Sequence, residues 1–122
     1  MHVTLDTMVD TLKAAAESSR LRILTLLSRG DLTVSDLTDI LGQSQPRVSR
    51  HLKLLLDAGL IDRYQEGSWA FFRLSDADQA RDFVQGLVAG IDKGDTQVVR
   101  DLERLEDVKR RRQERAAHYF SA

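Results

Sequence analysis

Apolar residues recur three and four positions apart along most of this chain, the spacing that lays one stripe along a helix. Leu5, Met8, Val9, Leu12 and Ala16 form the first stripe and predict a helix to about Glu17. A second helix follows in "SSRLRILTLLSRG", where Leu21, Leu24 and Leu27 carry the apolar face. Ser18 or Ser19 can cap it and Gly30 ends it. "TVSDLTDILG" predicts a short third helix. Thr33 is a good N-cap with Asp36 three residues on, close to the capping-box pattern, and Gly42 stops it. The fourth helix starts at Ser44 or Gln45, because Pro46 fits only in a first turn, where its missing N–H costs nothing. It runs to about Ala58, with Gly59 as a left-handed terminator.

The period then changes. In "LIDRYQEGSWAFFRL" the residues Tyr64, Trp69, Phe71 and Phe72 favour strand, and "QEGS" predicts a hairpin turn in which Gly67 takes positive φ. Alternation puts Trp69 and Phe71 on one face and Phe72 on the other, with Trp69 expected to pack beneath the hairpin. Helical spacing returns in "DADQARDFVQGLVAGIDKG", with Asp76 as the expected cap. A last long helix covers "DTQVVRDLERLEDVKRRRQERAAHYF", capped by Asp95. Gly86, Gly90 and Gly94 lie four apart, which points to close helix contact or termination.

Composition narrows the class. The chain has 122 residues, 42% of them apolar, enough for one domain over 1–122 with a real core. We divide it into an N-terminal helix (1–17), a central core (18–75) and C-terminal helices (76–122). With no cysteine, disulfides and thiolate metal sites are excluded, and a reducing cytoplasm is the expected location. No stretch approaches the length of a membrane span, and the alternating N-terminus does not read as a signal peptide. The net charge is −1, so affinity for nucleic acid must come from local charge.

That local charge lies on the fourth helix. Val48, Leu52 and Leu55 fall on one face. Pro46, Arg47, Arg50 and Lys53 fall on the other, with Ser49 and His51 at the flanks. From Gln43 to Leu56 there are three Lys/Arg and no Asp/Glu, whereas the preceding stretch holds Asp31, Asp36 and Asp39. The short side chains of Ser44, Gln45 and Ser49 can reach base edges. Arg can bond guanine bidentately and Gln can bond adenine, while Lys53 suits phosphate. A solvated basic face is the plainer explanation of the helix alone. In context, a capped short helix, a glycine turn, a polar-tipped second helix and a hairpin together read as a winged helix-turn-helix. Its second helix lies in the major groove of double-stranded DNA.

The stretch from Glu17 to Leu74 resembles the ArsR/SmtB family of bacterial dimeric repressors, and "SQPRVSRHLKLL" is a specific signature of it. The resemblance implies that Gln45, Ser49 and Arg50 face the bases. It also implies that His51 flanks them, and that the wing, Gln65 to Ser68 with Gly67 at its tip, lies along the adjacent backbone or minor groove. It further implies a homodimer built from the first and last helices, placing Met8, Val9 and Leu12 at the interface. Val98, Leu102, Leu105 and Val108 make a narrow seam on the last helix. It fits either a helix of a partner or its own domain, and the dimer reading is preferred because both terminal helices lie outside the winged core.

The sequence departs from the metal-sensing members. "TVSDLTDIL" stands where they carry a Cys-x-Cys pair, and their His and carboxylate ligands on the last helix are missing. His2, His51 and His118 are scattered, so no metal and no cofactor is expected. The segment "RDLERLEDVKRRRQERAAHYF" is similar to the join between an ArsR-type domain and a methyltransferase domain in fused regulators. That likeness implies a link to S-adenosylmethionine metabolism and S-adenosylhomocysteine as a small-molecule effector. The chain ends near where such a second domain would begin, and it has no Gly-x-Gly nucleotide loop. It is read as either an excised regulator or a stand-alone relative. No nucleophile–base pair or carboxylate pair supports catalysis. The rival to a DNA-binding repressor is a winged-helix module that chiefly dimerises or docks on protein.

Overall fold

Caps, glycines and the single proline divide the chain into helices α1 (Leu5–Ala15), α2 (Ser18–Leu27), α3 (Val34–Leu41), α4 (Gln45–Asp57), α5 (Asp78–Ala89) and α6 (Thr96–Phe120). Strands β1 (Leu32–Thr33), β2 (Ile61–Glu66) and β3 (Trp69–Leu74) lie between them. The computed structural model describes residues 3–120. Thr33 and Asp36 close a reciprocal capping box, with Asp36 N–H donating to Thr33 Oγ1 at 3.1 Å and Thr33 N–H to the Asp36 carboxylate at 3.0 Å. Gly42 ends α3 in the left-handed region, φ 67°. Asp95 caps α6 through Oδ1, which accepts from the N–H groups of Gln97 and Val98.

Two expected caps are replaced. The first helix ends at Ala15, and Glu17 rather than Ser18 or Ser19 caps α2, its carboxylate accepting from Arg20 N–H at 2.9 Å. Both serines lie inside the first turn of α2, where Ser19 is buried. Asp76 does not cap α5. Ala77 occupies that position, and the Asp76 carboxylate pairs with Arg73 and Arg81.

Helix α2 is the centre of the core, with Ile23, Leu24 and Leu26 fully buried. Against it pack Leu37 and Ile40 of α3, Val48, Leu52 and Leu55 of α4, and Leu60, Ile61, Phe72 and Leu74 from the hairpin. The hairpin gains a third, short strand that periodicity did not show. β1 pairs antiparallel with β3, Leu32 opposite Phe72, so the sheet order is β1-β3-β2. That pairing draws the Phe72 face inward. Trp69, expected beneath the wing, instead stands 57% exposed on the opposite face. Phe71 on the same face stacks on Tyr64, ring centroids 5.5 Å apart.

The seam on α6 packs within its own protomer. Leu105 is 1% and Val108 4% exposed, both in the core, and Leu102 is half-buried against it. The expected dimer role of Leu105 is therefore corrected, because its apolar surface is already covered by this chain. Polar bonds fasten the same helix. Asp101, 4% exposed, accepts from Arg22 Nε at 2.8 Å and Nη2 at 2.9 Å. Arg104 donates to Ile40 O at 2.9 Å, Arg111 pairs with Asp39 at 2.7 Å, and Arg112 pairs with Asp36. The basic run on α6 thus neutralises the acidic face of α3. Gly86 also departs from expectation: a Cβ built there meets open space rather than a neighbouring helix.

Candidate nucleic-acid interface

The turn between α3 and α4 is held from beneath. Gln43, just past Gly42, donates from Nε2 to Ser19 Oγ on α2 at 2.7 Å. Ser44 is the N-cap of α4, and Pro46 sits in its first turn. The Ser44 side chain makes no capping hydrogen bond, so its hydroxyl and the first N–H groups of α4 remain open at the exposed end. Val48, Leu52 and Leu55 are 0%, 1% and 0% exposed, which fixes the rotation of the helix. Ser44, Gln45, Arg47, Ser49, Arg50 and Lys53 are all turned outward as a result, and all six are exposed. Among the described residues neither Arg47 nor Arg50 pairs with a carboxylate. Lys53 does, with Asp57 at 3.0 Å, but the two side chains are 74% and 62% exposed, and such pairs exchange readily for a phosphate partner.

His51 is placed differently from the sequence expectation. Its side chain is only 15% exposed and turns away from the basic face, into the junction of α1 and α2. There Nδ1 lies 3.2 Å from Arg20 Nη1 and 3.8 Å from the Glu17 carboxylate. Burial lowers its pKa from the ordinary imidazole value. Glu17 opposes that shift, and Arg20, Arg47 and Arg50 reinforce it.

Gln65, Gly67 and Ser68 stand exposed at the wing tip, where Gly67 turns the chain at φ 61°. The outer face of the wing is braced: the Tyr64 hydroxyl donates to Asp31 at 2.6 Å, and the Arg73 guanidinium lies 5.0 Å from the Tyr64 ring. That hydrogen bond raises the pKa of the Tyr64 phenol. The tip itself, "QEGS", has no cation. Sequence reasoning did not single out the nearby Arg63 on β2. Arg63 is exposed and, among the described residues, unpaired. It alternates with Ile61 and Gln65, so it shares the face that Ile61 packs beside α4. Period-two counting from the buried Ile61 was the available signal.

Along α1 the expected interface residues are open, Val9 38% and Leu12 44% exposed, with Met8 half-buried; Leu5, at 79%, extends the stripe. Val98 and Leu102 on α6 are half-buried. His118 is exposed near the end of α6, and His2 lies outside the described residues. Among the described residues no three His, Cys, Asp or Glu side chains form a group able to hold a metal, and no helix is long and apolar enough to cross a membrane.

Known proteins share this arrangement. Residues 17–63 match the family described as "Bacterial regulatory protein, arsR family". The arsenical resistance operon repressor of Escherichia coli (strain K12) is 46% identical over 68 residues, 55% of this chain and 58% of that protein. This chain thus spans little more than half of that relative's length. The repressor of the same name from Bacillus subtilis (strain 168) is 43% identical over 78 residues, 63% of this chain and 70% of that protein. Among solved structures, a homodimeric winged helix-turn-helix DNA-binding domain from Mycobacterium bovis superimposes with a TM-score of 0.62 at 32% identity, covering 70% of this chain and 79% of that one. The fold is a winged helix-turn-helix, and the chain belongs to the ArsR family of bacterial transcriptional regulators.

Proposed function

We propose that this chain is a transcriptional repressor that binds a short inverted repeat in double-stranded DNA as a homodimer. One observation carries the reading. Helix α4 buries Val48, Leu52 and Leu55 while its N-terminal half exposes Gln45, Arg47, Ser49 and Arg50 free of acidic neighbours on the helix. In the major groove, Arg50 and Gln45 read base edges, Ser44, Arg47 and Ser49 support them, and Lys53 meets phosphate. Gln65, Gly67 and Ser68 follow the neighbouring backbone with Arg63 as the cation. The apolar stripe of α1, with Met8, Val9 and Leu12, forms the two-fold contact, and the half-buried Val98 and Leu102 lie at its edge.

The signal sensed differs in chemistry from that of the arsenical repressors it resembles. Thiolates are the soft ligands for such elements, and this chain has no cysteine. S-adenosylhomocysteine is the effector we infer from the likeness of the α6 segment to the join in methyltransferase-fused regulators. Selection from a randomised duplex pool tests the reading. It predicts enrichment of two inverted half-sites one helical turn apart, with an affinity that falls steeply with salt. Salt-independent binding, or enrichment of no common sequence, leaves the rival protein-docking module standing.

A further inference from the structure

Arg20 touches two helices whose relative angle matters most if the proposed function holds. Its Nε donates to Ala14 O at 2.6 Å and its Nη2 reaches Lys13 O at 3.5 Å, both carbonyls at the C-terminal end of α1. Its Nη1 faces His51 Nδ1, on the flank of α4, at 3.2 Å. Glu17 completes the junction: its carboxylate accepts from Arg20 N–H at 2.9 Å and stands 3.8 Å from the same ring. One planar guanidinium therefore bridges the end of the exposed apolar helix to the helix that presents the basic face.

We propose that Arg20 is a positioning residue, fixing the angle between α1 and the recognition helix α4 and so the half-site spacing that the dimer accepts. The inference rests on the dimeric, DNA-reading function proposed for the chain. The chemistry favours arginine. Its fork reaches three acceptors at once, the Ala14 and Lys13 carbonyls and His51 Nδ1, whereas a lysine ammonium at the same position is a single point charge. The His51 ring takes part only when neutral, because Nδ1 must accept from Arg20. The charged groups around the ring are Glu17 and Arg20 on the α2 side and Arg47 and Arg50 on its own helix, while α1 contributes the Lys13 and Ala14 carbonyls through Arg20. Protonation would turn an acceptor into a donor facing a guanidinium, and the bridge would open.

The test uses the full chain and the inverted repeat selected from the duplex pool. Duplexes carry the two half-sites at the selected spacing and at one and two base pairs more or less, and a further duplex carries a single half-site. A rigid wild-type dimer should prefer the selected spacing by about tenfold over a one-base-pair shift, and Arg20→Gln and Arg20→Lys should each reduce that preference to about twofold. Single half-site preference and dimer mass should stay unchanged, a combination that general destabilisation would not give. Lowering the pH through the imidazole range should loosen the spacing preference of the wild type. His51→Gln, whose amide oxygen still accepts, should keep the preference and lose its pH dependence. The wild-type pH series needs no variant to fold. A folded, dimeric Arg20→Gln variant with wild-type spacing preference overturns this inference alone, as does a wild-type preference unmoved by pH. A wild type that binds no duplex overturns the functional reading and this inference with it.

Discussion

Leu105→Ala separates the two roles that the α6 seam could have. The side chain is 1% exposed within a single protomer, in the core formed with α2 and α3. Truncating a leucine so enclosed costs about 2–5 kcal/mol, the forfeited transfer energy plus that of the cavity left behind. The neighbours cannot close that cavity freely, because Arg22–Asp101 and Arg104–Ile40 O pin α6 near the gap. A value in the upper half of the range is expected, about 3–4 kcal/mol. That is a large part of a typical domain stability of about 5–15 kcal/mol. In a chain of this size it should lower the melting temperature by roughly 10 °C or more. Urea denaturation, followed by circular dichroism, measures the loss, and sedimentation equilibrium of the folded protein measures the dimer. The expected outcome is a large fall in stability with dimer affinity changed by less than about threefold, since α1 is untouched. A variant that keeps its stability but dissociates would refute the placement of Leu105 inside its own protomer.

Other outcomes follow from the same geometry. Val9→Glu with Leu12→Glu should yield a folded monomer that has lost repeat binding while circular dichroism stays native, because both positions are more than a third exposed in the protomer. A variant that remains dimeric would move the two-fold contact elsewhere. Stability should fall as pH drops below about 6.5, the ordinary imidazole value. Burial favours neutral His51 in the fold, so the unfolded chain takes up the proton first. His51→Gln should flatten that slope in urea titrations between pH 7.5 and about 5, and an unchanged slope would assign the effect to other groups.

Much of the scaffold was legible because its determinants are local. Thr33 with Asp36, Gly42, Gly59 and Gly67 each impose a backbone geometry that neighbouring residues cannot override, and Val48, Leu52 and Leu55 fix the rotation of α4 by spacing alone. What escaped depended on partners distant in sequence. The α6 stripe has the same spacing whether it meets its own core or a second subunit, so only the burial of Leu105 decides. β1 is too short for periodicity to show, yet it settles which face of the hairpin turns inward and leaves Trp69 outside. His51 lies at the edge of the basic face on a helical wheel. Arg20, far away in sequence, draws it into the α1–α2 junction. Glu17 takes the cap position in place of Ser18 and Ser19, its carboxylate accepting from Arg20 N–H three residues on, while Ser19 lies within the helix and is engaged by Gln43.

The central claim is that the exposed end of α4 reads bases, and the comparison of Arg50→Ala with Lys53→Ala tests it most directly. Affinities for the selected repeat, for single-base variants of it and for unrelated DNA would be measured by fluorescence anisotropy across a salt series. Each bidentate base contact contributes about 1–3 kcal/mol of discrimination. Arg50→Ala should therefore lose about that much for the selected repeat per half-site and become tolerant of change at one base pair. Lys53→Ala should weaken binding to all sequences alike and reduce the salt slope by about one unit for each phosphate left without its cation. If Arg50→Ala lowers affinity equally for every duplex and leaves discrimination between bases intact, α4 does not read sequence through Arg50 and the account is wrong at its centre.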